Sequence, residues 1–168
     1  MTTATETTVK TQVFSVFIKS TPQAIWDAIT EPEWNRRYGY PGHSEYELRP
    51  GGKFRGIGTQ EMVDFGAPDL EVVSGEVLEV DPPRRLVQTW RMNFVEELRA
   101  EPFQKVTWEI EEEMPGLSKL VVTHEVEGAP LHEAAIVGLS PVEEGGGGWP
   151  LILSDLKSVL ETGAGFHG

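Results

Sequence analysis

Three turn segments rich in proline and glycine most constrain what the chain can fold into. They are Pro50-Gly51-Gly52, Asp81-Pro82-Pro83-Arg84 and Met114-Pro115-Gly116. Each lies between two segments in which apolar residues recur with a period of two, the pattern of a strand with one buried face. The flanking segments are residues 44–49, 53–58, 72–80, 86–92, 103–111 and 117–125. Because glycine tolerates positive φ and proline fixes its own φ, the sequence predicts three successive hairpins in an antiparallel meander.

Helical patterns stand on both sides of this meander. Residues 11–18 predict one more strand, and Ser20-Thr21-Pro22-Gln23 has the spacing of a capping box, which predicts a helix there and a short second helix over residues 33–38. Residues 150–162 predict a long amphipathic helix that ends at Gly163. A sheet with one apolar face needs a cover, so we expect an α+β fold of six to seven antiparallel strands covered by the C-terminal helix.

Composition limits the classes of partner. The 168 residues fit a single domain, which we expect over residues 9–168, after a disordered threonine-rich tail over residues 1–8. The 27 acidic residues outnumber the 14 Lys and Arg, and the net charge of −13 argues against nucleic acid as a partner. With no cysteine, no signal-peptide pattern and no long apolar run, the sequence predicts no disulfide, no membrane span and a cytoplasmic location. It leaves the oligomeric state open.

The order of elements and several motifs resemble the START-like (SRPBCC) superfamily. Within it, the chain is most similar to the domain family of activators of the heat-shock-protein-90 ATPase. The motifs are TPQAIWDAITEPE at residues 21–33, RPGGKF at 49–54, GEVLEVDPPRRL at 75–86 and Gly148-Trp149. This resemblance implies a helix-grip fold, in which a curved sheet wraps around the long C-terminal helix and leaves a cavity between the two. For function it implies several roles, among them lipid carriage, hormone binding, polyketide cyclisation and a chaperone-linked stress response.

Polar residues in apolar strand rows are the best candidate anchors for a ligand. Side chains two apart share a face, so Gln88 falls in a row with Trp90, and His124 interrupts another apolar row. A buried polar group must be satisfied by protein, water or ligand, and both possibilities, structural bonding and cavity lining, stay open for these two residues. The predicted ligand-binding residues are Trp26, Trp34, Tyr38, Gln88, Trp90, Trp108, His124, Trp149, Ile152, Leu153 and Leu156.

The glycine run at residues 145–148 is interpreted as a flexible joint ahead of the last helix. Trp149 would then either pack on the first helical turn or form an aromatic wall at the cavity mouth, and Trp26 either packs in the core or lines the cavity. The run lacks the Gly-Lys-Ser/Thr ending of a phosphate loop. Residues 131–136 lack the second histidine of a zinc-protease helix. The sequence therefore predicts no metal and no cofactor.

Three hypotheses for the function follow. The first is binding of a small apolar or aromatic molecule between the sheet and the last helix. The second is an enzyme of the cyclase or hydrolase type in which His124 acts as acid and base. The third is a chaperone regulator that docks through residues 95–144, which contain 12 Glu but only Arg99, Lys105 and Lys119 as cations. Whether any reaction is catalysed stays open.

Overall fold

A computed structural model describes residues 10–167, so the tail predicted at residues 1–8 lies outside the described part of the chain. The strands are β1 (Thr11–Ile18), β2 (His43–Tyr46), β3 (Lys53–Ile57), β4 (Glu71–Asp81), β5 (Arg85–Met92), β6 (Gln104–Met114) and β7 (Leu117–Glu125). The α-helices are α1 (Pro22–Thr30), α2 (Pro32–Asn35), α3 (Gln60–Asp64), α4 (Glu96–Arg99), α5 (Pro130–Ile136) and α6 (Gly148–Thr162). A single 3₁₀ turn, Val142–Glu144, precedes α6.

The strands form one antiparallel sheet in the order β1-β7-β6-β5-β4-β3-β2. The three predicted hairpins are β2–β3, β4–β5 and β6–β7, and β1 returns to pair with β7. Register shifts interrupt β3 after Gly56 and β4 after Val77. Such bulges bend a strand and increase its twist. The predicted α+β architecture with a curved meander is confirmed.

The C-terminal helix supplies the expected cover. Its apolar face buries Leu153, Leu156 and Val159 in the main core, and α6 packs across β1 and against α1 and α5. The helix begins at Gly148, two residues before the predicted start, so Trp149 lies in its first turn. Gly163 ends it in the left-handed conformation, as predicted. None of the helices within residues 10–167 is long and apolar enough to cross a bilayer.

Several predicted boundaries need correction. Strand β2 ends at Tyr46 rather than at residue 49, because Arg49 N–H bonds the Glu47 carbonyl in a turn and leaves the ladder. The second helix begins at Pro32 and ends at Asn35, since proline suits a first helical position. Helices α3, α4 and α5 were not predicted. They have four to seven residues, too few for a helical period to show.

The glycine run is packed at Gly146, Gly147 and Gly148, so its interpretation as a flexible joint is wrong for these three residues. A Cβ at Gly148 would lie 2.2 Å from the Ile136 carbonyl oxygen, and one at Gly147 would lie 2.8 Å from the Tyr40 hydroxyl. Gly147 N–H also donates a 2.7 Å hydrogen bond to that hydroxyl. Close approach of the backbone therefore explains these glycines, and it fixes where Trp149 enters the molecule.

Candidate ligand-binding site

A cavity of about 560 Å³ lies between the sheet, α5 and α6. This volume is within the range of small-molecule sites. Pro41, Glu144 and Gly145 line it and are exposed, so they mark a rim between the α2–β2 loop and the segment that precedes α6. The glycine run thus forms part of the cavity entrance.

Aromatic side chains form much of the cavity wall. Trp149 of α6 meets Trp108 of β6 edge to face, with 5.1 Å between ring centroids, and lies 6.1 Å from Trp90 of β5. On the neighbouring strands β2 and β3, the rings of Tyr46 and Phe54 pair with centroids 4.8 Å apart. Rings in these arrangements present flat, rigid apolar surfaces that suit an apolar or aromatic guest.

Gln88 is a buried amide in this wall, with 1% of its surface exposed. Its Oε1 accepts hydrogen bonds from the Tyr46 hydroxyl and from the Trp108 indole N–H, both at 2.9 Å. An indole N–H can only donate, so this contact fixes which end of the amide is the oxygen. Within residues 10–167, nothing accepts a bond from the buried Nε2. A buried donor left unpaired costs about 1–3 kcal/mol, which a water or a ligand would relieve.

Neighbouring polar groups of the cavity wall have partners. The Asn35 amide donates to the carbonyls of Ile29 and Ser44 and accepts from Ser44 N–H, so both ends of it are used. The Tyr38 hydroxyl donates to a carbonyl of α1, and burial raises the pKa of this hydroxyl, which keeps its proton. The unpaired Gln88 amide therefore differs from these groups.

His124 lies behind Trp149 and does not line the cavity. Its Nδ1 accepts a 3.0 Å hydrogen bond from the Trp149 indole N–H, so the proton is on Nε2, which donates to Gln104 Oε1 at 3.1 Å. Burial, helped by the nearby His132, lowers the pKa of His124 to about 3. Of the two predicted roles, the structure shows the hydrogen-bonded core residue, and the expectation of a cavity-lining His124 is wrong.

His132 and Glu101 form a second buried polar cluster, which the sequence analysis missed. The imidazole Nε2 accepts from Met92 N–H at 2.9 Å, and Nδ1 donates to Glu101 Oε1 at 2.7 Å. Glu101 also accepts from the backbone N–H groups of Leu131 and His132 at the start of α5. Burial favours a raised pKa for Glu101, but these hydrogen bonds hold its pKa below the ordinary value. The cluster joins the end of β5 to the two short helices beside the cavity.

The structure divides the predicted site residues into two groups. Those that line the cavity are Tyr38, Gln88, Trp90, Trp108, Trp149 and Ile152. Those that do not are Trp26, Trp34, His124, Leu153 and Leu156. Trp26 takes the core-packing role, as do both leucines, and Trp34 is half-buried under the Arg37 guanidinium. Tyr46, Phe54 and Phe94 line the cavity but were not predicted, although the alternation in β3 already indicates an inward Phe54.

The family model described as Activator of Hsp90 ATPase homolog 1-like protein matches residues 19–161. The chain belongs to this family. The resemblance inferred from the sequence motifs is therefore confirmed, and so is the helix-grip fold expected of an activator-homologue domain. No curated protein matches this member of the family.

Solved structures share the fold of this family member. CalU16 from Micromonospora echinospora has a TM-score of 0.60 at 21% identity, over 91% of this chain and 77% of its own. An HSP90 activator from Plasmodium falciparum has a TM-score of 0.56 at 20% identity, over 94% and 91% of the two chains. Protein MLL2253 from Mesorhizobium loti has a TM-score of 0.64 at 20% identity, over 90% and 97%. At these identities the likeness is one of fold.

Proposed function

We propose that the protein binds a small, neutral, apolar or aromatic molecule in the cavity between the sheet and α6. The observation that carries this proposal is the aromatic-walled cavity of about 560 Å³ with one unpaired buried amide in its wall. Mostly apolar pockets with few polar groups are the usual form of such sites. The proposed contact residues are the six predicted residues that line the cavity, together with Tyr46, Phe54 and Phe94.

The charges around the cavity favour a neutral guest. Among the described residues that line it, none is Lys or Arg. The carboxylate of Glu144 lies at the rim, where it repels anions. An anionic guest would have to lose its hydration without a Lys or Arg in the described lining to pair with, which is unfavourable.

A fluorescent-probe titration tests this function. N-phenyl-1-naphthylamine is neutral and aromatic, and its emission rises in apolar surroundings. We expect the wild-type protein to bind it, and Ala135→Phe to weaken binding at least fivefold because Ala135 lines the cavity. Ala134→Phe adds the same volume to an exposed position of the same helix and serves as the control. Absence of binding, or equal effects of the two substitutions, would contradict the proposal.

The enzyme hypothesis gains no support from His124. A general acid or base must reach the transferred proton to within about 3 Å, directly or through one water. His124 has both ring nitrogens bonded and is separated from the cavity by Trp149. We therefore do not assign it a catalytic role.

Regulation of a chaperone is the second candidate function, favoured by the family and by the similarity to the Plasmodium HSP90 activator. In the acidic stretch at residues 95–144, fewer carboxylates are free to bind a basic partner than the composition indicates. Three of its acids, Glu109, Glu125 and Glu133, are in ion pairs, and Glu101 is hydrogen-bonded to the neutral His132 ring. Salt-sensitive binding to Hsp90 at low ionic strength would support this function, and no binding would remove it. A stress-response role and a cytoplasmic location stay predictions.

A further inference from the structure

We infer that the ligand carries a neutral acceptor oxygen, such as a ketone or quinone carbonyl, which takes a hydrogen bond from Gln88 Nε2. This inference rests on the proposed function and adds to it the chemical class of the guest. It begins from two facts about one side chain. Gln88 is in the cavity wall, and its amide nitrogen is buried without a partner in residues 10–167.

The bonds that Gln88 already makes decide which group it can still bind. A glutamine amide has two acceptor sites on oxygen and two donors on nitrogen. The Tyr46 hydroxyl and the Trp108 indole N–H together occupy the oxygen. Only donors remain, so the partner must accept, as a carbonyl, quinone or ether oxygen does. A guest that can only donate gains nothing here.

The surroundings select among acceptors. A carboxylate or phosphate would accept strongly, but the described lining contains no Lys or Arg to neutralise it, and Glu144 is at the rim. A neutral carbonyl needs no counter-charge. The rings of Trp90, Trp108 and Trp149 lie in the same wall as the amide, which suits a carbonyl conjugated to an aromatic system. An aromatic ketone therefore fits the site better than a fatty acid.

Three related probes test the inference: 9-fluorenone, fluorene and fluorene-9-carboxylate. They share one tricyclic skeleton and differ in having a carbonyl, no polar group or an anion. Each is titrated in competition with N-phenyl-1-naphthylamine against the wild type, Gln88→Leu and Gln23→Leu. Gln23 is exposed on α1 and does not line the cavity, so it controls for the substitution itself.

The decisive quantity is the ratio of fluorenone to fluorene affinity in each protein. Comparing proteins in one buffer cancels the different hydration of the two probes. We expect Gln88→Leu to lower this ratio about three- to tenfold, the effect of one neutral hydrogen bond, and Gln23→Leu to leave it unchanged. We also expect the carboxylate to bind at least tenfold more weakly than fluorene. An unchanged ratio in Gln88→Leu, or a preference for the carboxylate, would overturn the inference.

A second measurement does not depend on how well Gln88→Leu folds. In the wild type, the side-chain amide protons of Gln88 are followed by ¹⁵N-edited NMR. We expect fluorenone to move their signals downfield and fluorene to leave them nearly in place. Equal responses to both probes would overturn the inference but leave the proposed function standing. Binding of neither probe would overturn the inference, and it would overturn the proposed function as well only if N-phenyl-1-naphthylamine also failed to bind.

Discussion

The indole N–H of Trp149 donates a 3.0 Å hydrogen bond to Nδ1 of His124 and so joins the first turn of α6 to strand β7. The bond continues a chain, because His124 donates to Gln104, which in turn bonds a backbone carbonyl. Trp149, His124 and Gln104 are all buried. Trp149 is therefore held as a wall of the cavity by a polar contact as well as by packing.

Replacing Trp149 by phenylalanine keeps a ring but removes the donor. Because Nδ1 of His124 would then be buried without a partner, we expect Trp149→Phe to lower the free energy of unfolding by about 1–3 kcal/mol. Urea denaturation measures the change. Trp34→Phe makes the same substitution at a half-buried tryptophan and is expected to cost less. Equal losses for the two variants would mean that the hydrogen bond contributes nothing measurable.

Burial of His124 predicts that acid destabilises the fold. The pKa of its imidazole is about 3 in the folded protein and about 6.5 in a model peptide, so the folded state binds fewer protons between these values. The neutral imidazole of His124 therefore contributes its full stabilisation of the fold above pH 6.5. This contribution is lost as the pH falls toward 3, and the free energy of unfolding then drops by up to about 1.4 kcal/mol per pH unit.

The test of this pH dependence is His124→Gln, which cannot take up a proton. His132 and the carboxylates titrate in both the wild type and the variant. The difference between their pH dependences of stability therefore reports the contribution of His124. We expect the unfolding free energy of the variant, measured in urea at pH 7, 6 and 5, to fall less steeply than that of the wild type. Parallel curves would show that His124 is not the buried neutral group described above.

Two glycines of the run that precedes α6 should differ in their tolerance of alanine. Both have positive φ, which costs a side chain about 1–2 kcal/mol. A Cβ at Gly148 would also overlap the Ile136 carbonyl, whereas one at Gly145 would meet nothing within 4 Å. We expect Gly148→Ala to lower the melting temperature well beyond Gly145→Ala. Similar melting temperatures would contradict the packed arrangement of the run.

Glu101 should hold the short helices beside the cavity. It accepts bonds from the His132 ring and from two backbone N–H groups of α5, so Glu101→Ala leaves the ring and backbone donors of buried His132 unpaired. We expect a loss of about 2–4 kcal/mol in unfolding free energy and weaker binding of N-phenyl-1-naphthylamine. Glu97→Ala, at an exposed position of α4, is the control and should change neither. A Glu101→Ala protein as stable as the control would refute this role.

The elements of the fold were predictable because their signals are local. Period-two patterns and Pro/Gly turns placed the three hairpins, and an apolar stripe that ends at Gly163 placed α6. The pairing of β1 with β7 joins residues about 100 positions apart. No local pattern encodes that contact, and it was not predicted.

The site was predictable only in part, because local patterns do not encode contacts between residues that are distant in the sequence. Strand alternation placed Gln88, Trp90 and Trp108 on the inward face, which the structure bears out. Alternation does not say how far along a strand the cavity extends, so His124 was expected in its wall but is covered by Trp149. Glu101 and His132 lie 31 residues apart in the sequence, and no sequence motif indicates that they form a pair.

The five tryptophans allow a direct test of the central claim, that the cavity binds a small aromatic molecule. Trp90, Trp108 and Trp149 line the cavity, whereas Trp26 and Trp34 do not. Fluorenone is titrated into ¹⁵N-tryptophan-labelled protein, and the five indole N–H signals are followed by NMR. The account predicts that the signals of the three lining residues shift and saturate together while the other two stay in place. Signals that all remain unmoved, or that shift only for Trp26 or Trp34, would contradict it.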